Sequence, residues 1–239
     1  MNLLGIDFET NGTDPYKSEI IEFGAVLWDS TKIKPLCIES NFISPNSTHF
    51  EIEEDVKNLT GIEEKDLYSY GISIEPAARR IFDLLSKATC IVSHFGIDFD
   101  RIILERMISI ISAKLPKLLW IDTGYDVNYP KKIRTRKLDY LSFEHGLIPY
   151  QSHRALFDVF TMLNILSKYD INDVVKTART PLLKVKAKVD YESKELALKN
   201  GFHWNKERKL WEKEIREETL KKEKYPFEIE REIIFQSHK

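Results

Sequence analysis

Leu3-Leu4-Gly5-Ile6-Asp7-Phe8-Glu9-Thr10 decides how this chain is read, because an apolar run suited to a buried strand ends in two acids one residue apart. Side chains alternate across a strand with a period of two, so Asp7 and Glu9 project from the same face. Burying such charges without a partner is costly, which makes a shared cation their natural complement. Far downstream, His153-Arg154-Ala155-Leu156-Phe157-Asp158 brings a further acid, with an imidazole five residues before it. On or near a helix N-terminus that spacing lets both side chains address one bound water, and a neutral histidine can take a proton from water near physiological pH. Hard carboxylate oxygens suit divalent cations, and a pair of cations is one remedy for the negative charge that shields a phosphodiester from attack. The two motifs together read as those of a metal-dependent nuclease.

A chain of 239 residues can hold one core of ordinary size and a small appendage. No apolar run approaches bilayer-spanning length, and Asp7 arrives too early for a signal peptide, so a cytoplasmic location and no membrane partner are expected. The two cysteines, Cys37 and Cys90, cannot by themselves build a disulfide framework or a zinc cluster, and they read as core thiols in a reducing compartment. The net charge of −2 hides an asymmetry: residues 1–170 carry 19 Lys and Arg against 25 Asp and Glu, net −6, whereas residues 171–239 carry 17 against 13, net +4. This is not the uniformly basic surface of an architectural DNA binder, although bound cations and local basic patches would allow a nucleic acid to approach.

Strand patterns cover Met1–Phe8, Ile20–Asp29 and Leu36–Ile43, an opening antiparallel meander. Glu51–Leu85 turns helical, with Ala77, Ala78, Ile81, Leu84 and Leu85 as an apolar stripe, and Cys90–Ser93 is a short strand delivering His94. A helix over Phe99–Ile111, a strand at Leu119–Ile121 and helices over Leu138–Leu147 and Ala155–Tyr169 complete an α/β domain with a mixed sheet flanked by helices. The expected division is a domain at 1–170, a linker at 171–183 and a small basic and aromatic module at 184–239. In that module a strand at Lys184–Val189, a helix from Tyr191 to Asn200 capped by Asp190 and stopped by Gly201, and a hairpin joining Phe202–Trp204 to Leu210–Glu212 predict a βαββ unit with Phe202, Trp204 and Trp211 as its core.

The motifs resemble those of the DEDDh (DnaQ-like) 3′→5′ exonucleases of the ribonuclease H-like superfamily. Asp7-Phe8-Glu9-Thr10 is similar to the family's first motif, continued by Asn11-Gly12-Thr13-Asp14-Pro15 and Ile20-Ile21-Glu22-Phe23-Gly24-Ala25-Val26. His153-Arg154-Ala155-Leu156-Phe157-Asp158 is similar to its last motif, and Asp122-Thr123 to another frequent feature. Arg154 stands where the related subclass carries tyrosine, which favours the histidine subclass. The second motif is matched by Ser93-His94-Phe95-Gly96-Ile97-Asp98-Phe99-Asp100, with Phe95 replacing the usual asparagine; Asp100, after Phe99 and before a helix bearing Leu104, is chosen over Asp98, a solvated or N-capping acid. The resemblance covers about residues 1–169 and implies a five-stranded ribonuclease H-like sheet.

It also implies that Asp7, Glu9 and Asp158 hold one metal ion and Asp7 and, through water, Asp100 a second. Mg²⁺ is the expected ion, with Mn²⁺ as substitute. His153 would be the general base in the release of nucleoside 5′-monophosphates, and Thr10, Asn11, Gly12 and His94 would contact substrate. Lys131, Lys132 and Arg134, within a stretch of five positive charges from Lys131 to Lys137, are candidate phosphate contacts that carry no sequence information. The expected partner is single-stranded nucleic acid or a duplex 3′ end, with DNA favoured over RNA; a protein partner or a homodimer stays open. The rival readings are an exoribonuclease trimming RNA 3′ ends and a catalytically decayed nucleic-acid-binding or scaffold protein on the same fold.

Overall fold

The structure is a computed structural model that describes residues 1–130, 132–148, 150–190 and 192–236. Three strands come first: β1 (Asn2–Thr10), β2 (Ile20–Asp29) and β3 (Lys34–Phe42). Helices α1 (Glu54–Thr60), α2 (Glu64–Tyr70) and α3 (Ile74–Leu85) follow, then β4 (Cys90–Ser93), α4 (Asp100–Ile110) and β5 (Leu119–Asp122). The short α5 (Thr123–Asp126) runs directly on, and α6 (Leu138–Glu144), α7 (Ala155–Leu166) and α8 (Ile171–Ala178) end this part. The sheet order is β3-β2-β1-β4-β5, with β1, β2 and β3 antiparallel and β4 and β5 parallel to β1, the mixed ribonuclease H-like sheet expected.

The strict alternation of β1 divides the interior in two. Leu4, Ile6 and Phe8 face a core closed by Ala77, Ala78 and Ile81 of α3 and by Ile103, Leu104 and Met107 of α4. Leu3 faces the other side, where Val159, Met162 and Leu163 of α7 pack with Val26, Val92 and Ile121. Two glycines let α7 lie flush on that side. A Cβ at Gly5 would fall 2.8 Å from Leu163 Cδ1, and one at Gly24 would fall 2.6 Å from the backbone of Ala155 and Leu156. Gly24 is the register partner of Asp7, so the closest approach of helix to sheet lies where β1 carries its first acid.

Beyond α8 come β6 (Leu182–Ala187), α9 (Lys194–Lys199), β7 (His203–Asn205), β8 (Leu210–Arg216), α10 (Glu217–Leu220) and β9 (Ile229–Phe235). The four strands form a second, antiparallel sheet of order β7-β8-β6-β9, larger than the βαββ unit the pattern predicts. The segment read as a linker at 171–183 is instead mostly α8, capped by the Asp170 carboxylate and packed through Val174 and Ala178 into the α7 side of the core. Its polar composition masks a helical stripe, Ile171, Val174, Val175 and Ala178. The module's core consists of Phe202 with Leu183, Val185, Ala197, Ile215 and Leu220; Trp211 packs at its edge and Trp204 is 44 % exposed, which corrects the reading of both tryptophans as core. Asp190 accepts a hydrogen bond from the Ser193 amide one turn ahead of α9, Gly201 ends that helix at φ 78°, and Tyr191 lies outside the described residues.

Candidate active site

Asp7 and Glu9 leave β1 on the α7 side, and Asp158 comes to meet them from the first turn of α7, where an acid also complements the helix dipole. One carboxylate oxygen from each of the three lies within 4.8 Å of the others, and all three side chains are only partly buried, so a ligand can reach them. Among the described residues this is the one group of three or more acid, histidine or cysteine side chains gathered closely enough to hold a metal ion. The donor set is all hard oxygen, the chemistry that Mg²⁺ and Mn²⁺ select. Asp100 opens α4 beside this trio but outside it: it is buried, its Oδ1 accepts the Phe8 amide at 3.2 Å, and its charge acts on Asp7 more strongly than Glu9 or Asp158 does. Asp98, the alternative acid, is exposed.

Sequence reasoning assigned no role to Glu22, and the structure gives it one. Glu22 sits directly across from Glu9 in the β1–β2 ladder, 4 % exposed, a juxtaposition of like charges that would be unfavourable alone. Arg154 resolves it by a two-point grip, Nη2 donating to Oε1 at 2.7 Å and Nε to Oε2 at 3.0 Å, while the Ala155 amide donates to Oε2 at 3.1 Å. The last motif is thereby clamped to β2 immediately before Asp158. A lone acid inside the otherwise apolar run Ile20–Trp28 was the available signal. His153 precedes the clamp in the left-handed region, φ 61°, and its backbone amide donates to Asp158 Oδ2 at 3.0 Å, leaving the imidazole on an exposed residue at the rim.

Burial, reinforced by like charges, sets the electrostatics. Burial and then the charges of Asp100, Glu9, Asp158 and Glu22 hold the Asp7 carboxyl well above the usual carboxylate range. Burial, with Asp158 and Glu22, pushes Glu9 up to about 7 despite Arg154, and burial raises Asp158 to about 7 against the His153 amide. Without metal these carboxyls retain protons that the unfolded chain releases above about pH 4, so their contribution to stability is fully present on the acid side and is lost as pH rises through about 7. Calorimetry in chelator should give a Tm higher at about pH 5.5 than at about pH 8, by on the order of 5 °C. Mg²⁺ should restore stability at the higher pH; a metal-free Tm that rises with pH instead would mean that the fold does not hold these carboxyls protonated.

The loop after β4 is organised by Asp122, which is fully buried and accepts the amides of Phe95 and Gly96 at 2.9 Å, Ile97 at 3.3 Å and Gly124 at 2.9 Å. This holds the strand end where the sequence has Phe95 in place of asparagine. His94 Nε2 lies 2.7 Å from the Arg136 carbonyl, which can only accept, so that nitrogen carries a proton, and Nδ1 lies 2.8 Å from the Thr123 hydroxyl, which also donates to the Ser93 carbonyl at 3.1 Å. Burial lowers this imidazole to about 4, in keeping with a neutral ring committed to the fold on both sides. Of the basic stretch, Lys132 and Arg134 are exposed, Arg136 turns inward to the Gly124 carbonyl, and Lys131 lies outside the described residues. Thr10, Asn11 and Gly12 form a braced loop: Thr10 Oγ1 donates to the Gly12 carbonyl, and the Asn11 side chain bridges the Glu51 carbonyl and the Glu19 amide.

Comparison with known proteins meets this geometry from another side. The chain is 27 % identical over 192 residues to the DNA polymerase III PolC-type of Thermotoga maritima, covering 78 % of this chain and 13 % of the polymerase. It is 31 % identical over 148 residues to the corresponding polymerase of Ureaplasma parvum, covering 62 % and 9 % respectively. Among solved structures, E. coli Exonuclease I in complex with a dT13 oligonucleotide superposes with a TM-score of 0.64 at 17 % identity, covering 78 % of this chain and 48 % of that one. A zinc-ion-bound Exonuclease I–ssDNA complex superposes with a TM-score of 0.63, again at 17 % identity and with 78 % and 48 % coverage. The chain thus spans a small part of the polymerases and about half of Exonuclease I. Residues 183–231 match a domain of unknown function (DUF8626), which takes in most of the second sheet. Residues 4–166, the stretch that contributes every acid of the cluster, match the family described as Exonuclease (RNase T), and to that family the chain belongs.

Proposed function

We propose that this protein is a metal-dependent 3′→5′ exonuclease that removes nucleoside 5′-monophosphates from DNA 3′ ends. The observation that carries the reading is the convergence of Asp7, Glu9 and Asp158, hard oxygen donors whose partial burial and shared negative charge favour protons or cations. Asp7, Glu9 and Asp158 would hold one divalent ion and Asp7 and, through water, Asp100 a second, Mg²⁺ in the cell with Mn²⁺ as substitute. When bound, such ions stabilise negative charge on the attacking and leaving oxygens of a displacement at phosphorus.

The chain's own residues do the rest. The His153 imidazole accepts a proton from the water whose oxygen bonds to phosphorus of the last phosphodiester, while the bond from phosphorus to the 3′ oxygen of the shortened strand breaks and that oxygen takes a proton from solvent to become the new 3′-hydroxyl. Glu22, bonded to Arg154 and to the Ala155 amide, ties the turn between His153 and Asp158 to β2. The braced Thr10–Gly12 loop supports the terminal nucleotide, and Lys132 and Arg134, with Lys131, meet backbone phosphates. His94, with both ring nitrogens engaged, acts by fixing the start of that basic stretch's return to the fold through the Arg136 carbonyl.

DNA is favoured because the relatives are DNA polymerases and a single-stranded-DNA-bound Exonuclease I. Incubation with 5′-labelled single-stranded and duplex DNA and RNA in Mg²⁺ tests this. A descending ladder on DNA is expected; a ladder confined to RNA would transfer the activity to RNA ends, and binding without shortening in Mg²⁺ or Mn²⁺ would make the protein a nucleic-acid-binding scaffold.

A further inference from the structure

The second sheet sends a fully buried charged side chain into the exonuclease domain. Arg216, the last residue of β8, and Asp126, the last residue of α5, form an ion pair in which both side chains are 0 % exposed. Arg216 Nε donates to Asp126 Oδ1 at 2.5 Å, Nη2 donates to Oδ2 at 3.2 Å, and Nη1 donates to the Thr180 carbonyl at 2.8 Å. The same Asp126 Oδ2 accepts the backbone amide of Asp122 at 2.8 Å. Asp122 in turn gathers the amides of Phe95, Gly96 and Ile97. Gly96 packs so closely on Asp100 that a Cβ there would fall 2.2 Å from its Oδ2, and the Gly96 carbonyl accepts the Arg101 amide at the start of α4. A parallel route leaves β8 one pleat earlier: the Tyr125 hydroxyl donates to Glu214 at 2.6 Å, and the Tyr125 ring meets the Phe95 ring edge-on at 5.0 Å.

We propose that Arg216 is a positioning residue of the acidic centre, which by gripping Asp126 fixes Asp122, through it the 95–97 loop, and through that loop Asp100. The module matched to a domain of unknown function then completes the scaffold of the site, and is not an accessory tethered beside it. Two charged groups stripped of water are held by each other and by the hydrogen bonds that use up their remaining donors and acceptors, and taking away one partner leaves the other exposed to the full penalty. Burial pushes Asp126 up to about 6, and the Arg216 guanidinium pulls it back toward the charged form that accepts the Asp122 amide. The assignment rests on the exonuclease reading only in its last step, from Asp100 to metal.

The experiment compares the full chain with Arg216→Met, Arg216→Lys and, on the exposed side of the same module, Lys221→Ala. In metal-free protein well below the melting temperature, hydrogen exchange over residues 94–99 is measured against α7 residues 159–166 as an internal control, and Mn²⁺ affinity is measured by calorimetry. Arg216→Met should accelerate exchange in the loop but not in α7, and weaken Mn²⁺ by on the order of 10- to 100-fold, the usual consequence of losing a side chain that orients a ligand. Arg216→Lys, which keeps the charge but not the two-point grip, should fall between, and Lys221→Ala should match wild type. If Arg216→Met lowers the melting temperature yet leaves loop exchange and Mn²⁺ affinity unchanged, Arg216 only glues the two sheets together and the proposal is overturned. Should that variant not fold, Arg216→Lys is read the same way, and values on top of wild type overturn it. A wild-type protein that binds Mn²⁺ but releases no nucleotide would sink the exonuclease reading alone, since neither measurement needs turnover.

Discussion

Exchanging Asp7 for Asn is expected to cut Mg²⁺-dependent release of mononucleotides by at least about a thousandfold, equivalent to roughly 4 kcal/mol of lost transition-state stabilisation. Asp7 lies at the meeting point of the site, acted on by Asp100, Glu9, Asp158 and Glu22, and an amide is a weaker and less hard donor than a carboxylate. The same exchange removes the carboxyl that burial and its neighbours disfavour most as an anion, so the metal-free Tm of the variant should lie above that of wild type near neutral pH. The two effects have opposite signs, which a folding defect could not produce. Cleavage at the wild-type rate by the purified variant would assign the activity elsewhere.

Arg154→Ala should have the second largest consequence. It strips Glu22 of a two-point partner while leaving the carboxylate 4 % exposed and facing Glu9. Breaking a buried pair from one side costs about 3–5 kcal/mol, and since Arg154 is partly exposed the lower end, about 3 kcal/mol, applies. For a chain of this size that is a Tm lower by about 10 °C. Activity at a temperature where the variant is folded should fall as well, because the Ala155 and His153 amides that meet Glu22 and Asp158 share this turn. Arg154→Ala combined with Glu22→Gln should recover much of the lost stability, because no unpaired charge remains. Thermal unfolding and steady-state rates on the same samples check both; a double variant no more stable than Arg154→Ala would show that the ion pair is not what holds the turn.

The parts of the fold with a clean period were legible in the sequence. Leu4, Ile6 and Phe8 alternate with Gly5, Asp7 and Glu9, and three strands in a meander with two delivered by helices give the mixed five-stranded sheet. The last motif was also legible, because Asp158 lies within a helix whose apolar face, Val159, Met162 and Leu163, is unambiguous. What stayed hidden depends on chain segments far apart. The Glu22–Arg154 pair spans 132 residues and the Asp126–Arg216 pair spans 90, and no local pattern ties such partners together. α8 was hidden by polar residues on its outer face, and β9 by Glu230, Arg231 and Glu232, exposed charges of an edge strand in which Glu232 pairs with Lys186 and Glu230 with Lys188. Trp204 misled because a tryptophan in a small module is usually core, whereas β7 is a three-residue edge strand with too little cover for two indoles.

The account stands on a single gathering of acids, and the most direct measurement of it is anomalous diffraction from crystals soaked in Mn²⁺. A peak bounded by Asp7, Glu9 and Asp158, with oxygen contacts of about 2.0–2.6 Å, is the predicted result, and an accompanying second peak on the Asp7–Asp100 side would locate the other ion. Mn²⁺ bound at other acids while these three stay without a peak would contradict the account.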